Sequence, residues 1–301
     1  MLSSSGERSK SLRFGVIKDL TIVSSSIWKD EANRHVQTRQ LLVFLGWQVW
    51  KRTIAKPVIV ELFNGYRFIA YPDCRISSRI IYSRIPDCRE ITFLRQHLSG
   101  GTFVDVGSNV CLYPLLLADR IDHAVLFDPN PIAARRAREN IAINRLPYEV
   151  YEMAVSDRGG EIQVEDRGGV DTCNQTLPEG SRTNFPTRAV SSTTLDQFLE
   201  RNGSSFPPIK GIKIDVEGYE NFVLRGMKGC LETIRPELVM FEYLQRTNIK
   251  ETISFFTSVN YGVFCLTPRG LAPAHEEVAD CQNLFAFPQE SNLALRAKEI
   301  S

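Results

Sequence analysis

The chain has 301 residues, 43% hydrophobic and 24% charged, with a formal net charge of +1. That is enough to bury a large core, as one α/β domain with an extension or as two small domains. Near-neutrality argues against wholesale nucleic-acid binding, which needs a sustained basic surface.

Charge is nevertheless unevenly placed. Residues 1–100 hold 16 Lys/Arg against 8 Asp/Glu, and the remainder holds 20 against 27. The basic N-terminal third makes peripheral contact with an anionic surface, such as a membrane, a candidate role beside ordinary solvated faces. The seven cysteines show no CxxC spacing and no pairing with the four histidines, so no metal site is expected. Their odd number, with no signal-peptide-like apolar core at the N-terminus, fits a cytoplasmic location. The longest apolar run, LLVFLGWQVW at 41–50, is too short to span a bilayer and is followed by Lys51 and Arg52. It is expected to be a packed helix. Residues 27–56, with Trp28, Trp47 and Trp50 among basic residues, are expected to cover an acceptor side or lie on a membrane.

In chain order, VIVELFNGYRFIAYP (58–72) reads as a β-hairpin turning at Asn64-Gly65, and REITFLRQHL as a helix. TFVDV (102–106) is a strand, followed by Leu112, Leu115 and Leu116 at helical spacing, with Pro114 tolerable in a first turn. HAVLF (123–127) is the next strand. In the helix after it Asn130 is the cap, Pro131 takes the first position, and Ala133, Ala137 and Ile141 share a face. EVYEMAV (149–155) reads as one further strand. Breakers make 156–189 loop-rich, with a β-excursion at EIQVED and a mobile segment. A short helix LDQFLE leads to the strand in PPIKGIKIDV. The helical stretch after Gly218 is expected to carry Val223, Met227, Cys230, Leu231 and Ile234 inward, kinked or split by Gly226 and Gly229. ELVMFEY (237–243), a helix near 249–258 and two closing strands, YGVFCLTP and NLFAFP, complete the order.

Strands alternating with helices predict a mainly parallel, doubly wound sheet, and the last two strands an antiparallel edge hairpin. The expected organisation is an N-terminal extension and cap at 1–84 (helix plus hairpin), a main domain at 85–288 and a tail at 289–301.

The turn FVDVGSNVC tests which ligand this sheet holds. A dinucleotide site wants GxGxxG, so that backbone can approach a pyrophosphate at a helix N-terminus. Here Asp105 and Cys111 occupy the first and last glycine positions. A carboxylate at Asp105 repels a pyrophosphate and suits an ammonium group. Asp128, ending the next strand, can accept hydrogen bonds from ribose hydroxyls. The pair favours S-adenosylmethionine over NAD. If the backbone at 111 needs φ > 0, cysteine costs about 1 kcal/mol or more.

DVGSNVC, FDPNP, ENIAIN, AVSDRGG, TTLDQFL and above all IKIDVEGYENFVLRGMKGCLETIRPELVMFE resemble, in order, the blocks of the FkbM-type S-adenosylmethionine-dependent methyltransferases. The resemblance covers roughly residues 85 to 265. It implies a class I methyltransferase, Rossmann-like sheet of seven strands and methyl transfer to a hydroxyl oxygen, commonly on sugars or polyketide-like metabolites. It also implies a cofactor set of Asp105, Gly107, Asn109, Asp128 and Pro129, and an acidic residue ahead of the first strand, Glu90, facing the methionine ammonium.

By position at a strand end, Asp215 is the first choice for base or acceptor-orienting group, with Glu217 second. Lys213 is a candidate ion-pair partner for one of them, and Glu242, ending the fifth strand, a candidate further member of the carboxylate cluster. The resulting expectation is an O-methyltransferase acting on a saccharide, glycoconjugate or related metabolite. A nicotinamide-dependent oxidoreductase and a non-catalytic binding protein of the same fold are the alternatives.

Overall fold

In the computed structural model the described residues are 28, 33, 35–166, 176–177, 183–243, 248–268, 270–274 and 281–299. The mobile segment expected within 156–189 falls partly at 167–175 and 178–182, outside them.

The N-terminal extension comprises helix α1 (Gln37–Thr53), the antiparallel pair β1 (Val58–Glu61) and β2 (Arg67–Ala70), and helix α2 (Arg75–Tyr82). The hairpin register, Glu61 opposite Arg67, leaves a five-residue loop in which Gly65 takes φ 84°. Helix α1 buries Gln40, Phe44 and Trp47. Trp47 Nε1 donates to Ser78 Oγ of α2 at 3.0 Å, and the Phe44 and Tyr82 rings meet edge-on at 5.7 Å. Helix α3 (Cys88–His97) leads into the main sheet.

That sheet alternates as predicted: β3 (Thr102–Val106), α4 (Leu112–Leu116), β4 (His123–Phe127), α5 (Pro131–Asn144), β5 (Glu149–Tyr151). Asn130 Oδ1 accepts from the Ile132 and Ala133 amides, capping α5 ahead of Pro131, while Ala133, Ala137 and Ile141 are buried. The chain then leaves the sheet, so EVYEMAV is two strands rather than one. β5 pairs with β4, whereas β6 (Ala154–Val155) joins a second sheet with β7 (Gly160–Glu165), β8 (Thr176–Leu177) and β9 (Thr187–Thr193), in the order β6-β9-β7-β8. The main chain resumes with α6 (Leu195–Asn202), β10 (Ile209–Ile214), α7 (Glu220–Arg225), β11 (Leu238–Glu242), α8 (Ile249–Ser258), β12 (Tyr261–Thr267), β13 (Gly270–Pro273), β14 (Asn283–Pro288) and α9 (Asn292–Glu299).

The large sheet has the order β13-β12-β14-β11-β10-β3-β4-β5. Pairs from β5 through β11 are parallel, and β14 inserts antiparallel between β11 and β12. This is the mostly parallel Rossmann-like sheet expected, with β13 as an eighth strand. Alternate residues serve opposite faces. Phe103, Leu126 and Met240 pack under α3, α4 and α5, while Val104, Phe127, Ile212 and Phe241 pack under α6, α7 and α8.

After Arg225 the helix breaks as expected, and glycine is required at 226, where a Cβ would stand 1.9 Å from the Ser156 carbonyl oxygen. Residues Cys230–Ile234 then wind as a π-helical turn. Val223, Met227, Cys230 and Leu231 are buried, but Ile234 is 42% exposed, contrary to expectation. The wider winding carries it past the inward face. Residues 289–301, expected only as a tail, contain α9, whose Ala294 is fully buried in the core.

Candidate active site

Neighbouring strands β4, β3, β10 and β11 end at one edge of the sheet, and their last residues frame a cavity of about 500 Å³. Asp105, Gly107, Asn109, Asp128, Pro129, Asp215 and Glu217 all line it, as does Glu242. Seven of the eight residues singled out from sequence are thus brought together. Glu90 is not among the lining residues. It sits half-buried in α3, where burial pushes its carboxyl up and a hydrogen bond with Asn283 partly offsets the shift.

The turn after β3 is built around Gly107. Its φ is 79°, and a Cβ there would lie 1.8 Å from the Asp215 carbonyl oxygen. Only glycine fits. The Asp215 amide in turn donates to the Val106 carbonyl at 2.9 Å, locking the ends of β3 and β10 together. The amides of Gly107 and Ser108 both donate to the Phe127 carbonyl (2.9 and 3.0 Å), and the Asn109 amide to Asp128 Oδ2 (2.8 Å). The Cys111 amide donates to the Ser108 carbonyl at 3.0 Å. A pyrophosphate site needs such amides directed at the ligand. Here they are committed within the protein.

Cys111 itself has φ 71° and ψ 33°, is fully buried, and does not line the cavity. The left-handed backbone expected as a possibility is therefore present, carried by a cysteine packed into the core.

Asp128 Oδ1 accepts from the Asn130 amide at 2.8 Å, so each carboxylate oxygen is held by one backbone donor. Burial pushes Asp128 up to about 6, with those two amides pulling it back. Asp105 is also pushed up to about 6 by burial, against the opposing pull of Lys213. Its Oδ1 meets the Lys213 ammonium only at 3.5 Å, and Asn109 Oδ1 has no hydrogen-bond partner. An orphaned buried acceptor such as Asn109 Oδ1 at a cavity wall is suited to an ammonium or hydroxyl donor.

Lys213 lies buried between two acids, with Nζ 3.0 Å from Asp215 Oδ2, 3.5 Å from Asp105 Oδ1 and 4.9 Å from the Tyr113 ring centre. The acids outweigh its burial and hold its pKa above the ordinary lysine value. Tyr113 Oη donates to Asp87 Oδ2 at 3.1 Å, and Arg79 pairs with Asp87 Oδ1 at 2.5 Å. The extension is thereby tied to the wall of the site. Glu217 takes a left-handed φ of 57°, and the turn carrying it is closed by Glu220 Oε1, which accepts from the Val216 and Gly218 amides at 3.2 and 3.0 Å. Across the cavity, Glu242 Oε2 is buried without a partner. Burial first, then Asp215, Glu217 and Glu220, push its carboxyl up to about 8. Among the described residues no cluster of three or more His, Cys, Asp or Glu side chains is placed to hold a metal.

Sequence reasoning missed the wall contributed by α2. Arg75, Ile76, Arg79 and Tyr82 line the cavity, and their i, i+1, i+4 and i+7 spacing was the signal available. Residues 27–56 were expected to cover the acceptor side or lie on a membrane, and of these two only the first would place them at the cavity: α1 packs behind α2 and supplies no lining residue. Arg188 of β9 is a further unanticipated lining residue, donating to the Pro129 carbonyl at 3.0 Å.

Comparison with known proteins returns the Methyltransferase FkbM domain, matched at residues 105–263, just over half of the chain. A curated relative, the hexuronic acid methyltransferase AglP of Haloferax volcanii, is 28% identical over 138 residues, covering 45% of this chain and 53% of its own length. The chain therefore spans about half the length of that relative. Among solved structures, an S-adenosylmethionine-dependent methyltransferase from Agrobacterium tumefaciens aligns at a TM-score of 0.41 and 10% identity, covering 77% of this chain and 69% of its own. A tRNA (uracil-54, C5)-methyltransferase of Pyrococcus abyssi, in complex with S-adenosyl-L-homocysteine, aligns at 0.40 and 14%, covering 77% and 44%.

Proposed function

The chain belongs to the FkbM methyltransferase family, whose methyl donor is S-adenosylmethionine, and from that premise we propose that it methylates a hydroxyl oxygen of a saccharide or related glycoconjugate. One observation carries the reading most. Asp105 and Asp128 end adjacent strands and line the same cavity as Asp215, Glu217 and Glu242, while four amides of the turn after β3 are bonded within the protein. The same bonding weighs against a nicotinamide cofactor. The name of the curated relative, with its hexuronic acid acceptor, supports a saccharide substrate.

In this reading Asp128 accepts the ribose hydroxyls, Asn109 and Pro129 border them, and Asp105 faces the ammonium end beside Gly107. Glu90, behind that wall, adds negative potential without contact. S-adenosylmethionine supplies an electrophilic methyl group on a sulfonium. The chain's task is to aim a hydroxyl at it and take the proton. Asp215, already bonded to Lys213, orients the acceptor hydroxyl, and Glu217 flanks it. Glu242, with an unpartnered oxygen and a carboxyl pushed up to about 8, is the group suited to receive the proton.

The test is labelled methyl transfer from S-adenosylmethionine into a panel of oligosaccharides and glycolipid extracts. Label in an alkali-stable methyl ether is expected, whereas alkali-labile label would reassign the acceptor oxygen to a carboxylate. Because Glu242 must be ionised to act, the rate should climb as pH rises toward about 8. Glu242→Gln should lose that limb and fall roughly 10²–10⁴-fold, while Asp215→Asn should slow the reaction but keep the limb. An unchanged profile in Glu242→Gln would remove it from this role.

A further inference from the structure

The outer face of α1 has no partner among the described residues. Leu42, Leu45 and Val49 are 66%, 44% and 61% exposed. On a 3.6-residue period they fall on one stripe, opposite the buried Gln40, Phe44 and Trp47. The same helical period places exposed Arg39 at one border of the stripe and exposed Arg52 at the other, and exposed Ile54 and Lys56 continue it past the helix. From residue 32 to residue 60 the sequence contains no Asp or Glu.

An apolar stripe whose charged neighbours are all cations suits a surface that offers apolar chains beneath anionic headgroups. A second copy of this chain would bring the same arginines against one another. No described helix is long and apolar enough to cross a membrane. The geometry points to α1 as an interfacial helix that seats this protein on an anionic lipid bilayer. Its position gives the seating a purpose. The buried face of α1 packs on α2, and Ile76, Arg79 and Tyr82 of α2 line the cavity. The bilayer would therefore lie one helix layer from the cavity wall, within reach of an acceptor carried on a lipid.

Flotation of the full chain with phosphatidylcholine vesicles, with and without 30% phosphatidylserine, tests this. The wild type should float with the anionic vesicles, lose association as salt rises, and remain unbound to the neutral ones. Leu42→Glu with Val49→Glu should abolish flotation. Arg39→Gln with Arg52→Gln should weaken it by more than about tenfold. Binding of S-adenosylhomocysteine, measured on each variant, reports an intact fold and stands apart from the membrane readout. Equal flotation of wild type and both variants with that binding intact would overturn the proposal. So would a dimer in sedimentation that the Leu42→Glu, Val49→Glu variant disperses.

Discussion

At position 111 a single dihedral reverses an ordinary expectation. Cysteine occupies the left-handed region there, fully buried and off the cavity. Alanine would keep the strain and lose the thiol's packing, whereas glycine loses the packing but relieves about 1 kcal/mol of backbone strain. Cys111→Ala should therefore destabilise by about 1–2 kcal/mol, and Cys111→Gly by less, the opposite of their usual helix ranking. Denaturant unfolding checks the order, and an alanine variant more stable than the glycine one would show that the strain is absent. Cofactor affinity should move little in either. The positions of Asp105 and Asp128 at the cavity were legible because their places at strand ends follow from pattern alone. The conformation at 111 was not, since nothing in a cysteine announces a left-handed backbone. The partnering of Asp215 was half legible. Lys213 two residues earlier points to the same strand face, but its approach to Asp105 on the neighbouring strand depends on the register of β3 against β10.

That register also brings the elements around the site into close contact. Gly107 touches the end of β10 so closely that a methyl group would collide with the Asp215 carbonyl. Gly107→Ala should cost about 2–4 kcal/mol, from the strained φ and the displaced strand end together. Its methyl-transfer rate should fall as well, because Asp215 moves. A Gly107→Ala protein unfolding at the wild-type denaturant midpoint would contradict this packing. Most helices and strands of the large sheet could be read from periodicity because its central strands are mostly apolar and its helices carry an apolar face. The second sheet was legible only in part. EIQVED, expected as a β-excursion, forms β7, but β6 and β9 pair at a separation of 38 positions, across sequence dense in Gly, Asp and Pro that read as loop. Strand β13 was hidden for a similar reason, beginning at Gly270 immediately beyond Pro268-Arg269.

On the scale of the whole molecule, the N-terminal extension and the sheet build the cavity jointly. The ion pair from Arg79 to Asp87, and the hydrogen bond from Tyr113 to Asp87, fasten α2 to the core. The extension was expected as one helix and a hairpin; its second helix, α2, which lines the cavity, was not read from the sequence. The central claim is that the joint cavity binds S-adenosylmethionine through carboxylates at the ends of β3 and β4. Calorimetric titration of S-adenosylhomocysteine into the wild type and Asp128→Ala measures it directly. The wild type should bind one equivalent at micromolar level and show no heat with NAD, and the variant should bind more weakly by ~1.5–3 kcal/mol through lost charged hydrogen bonds. Equal affinity in the two proteins, or a preference for NAD, would contradict the account.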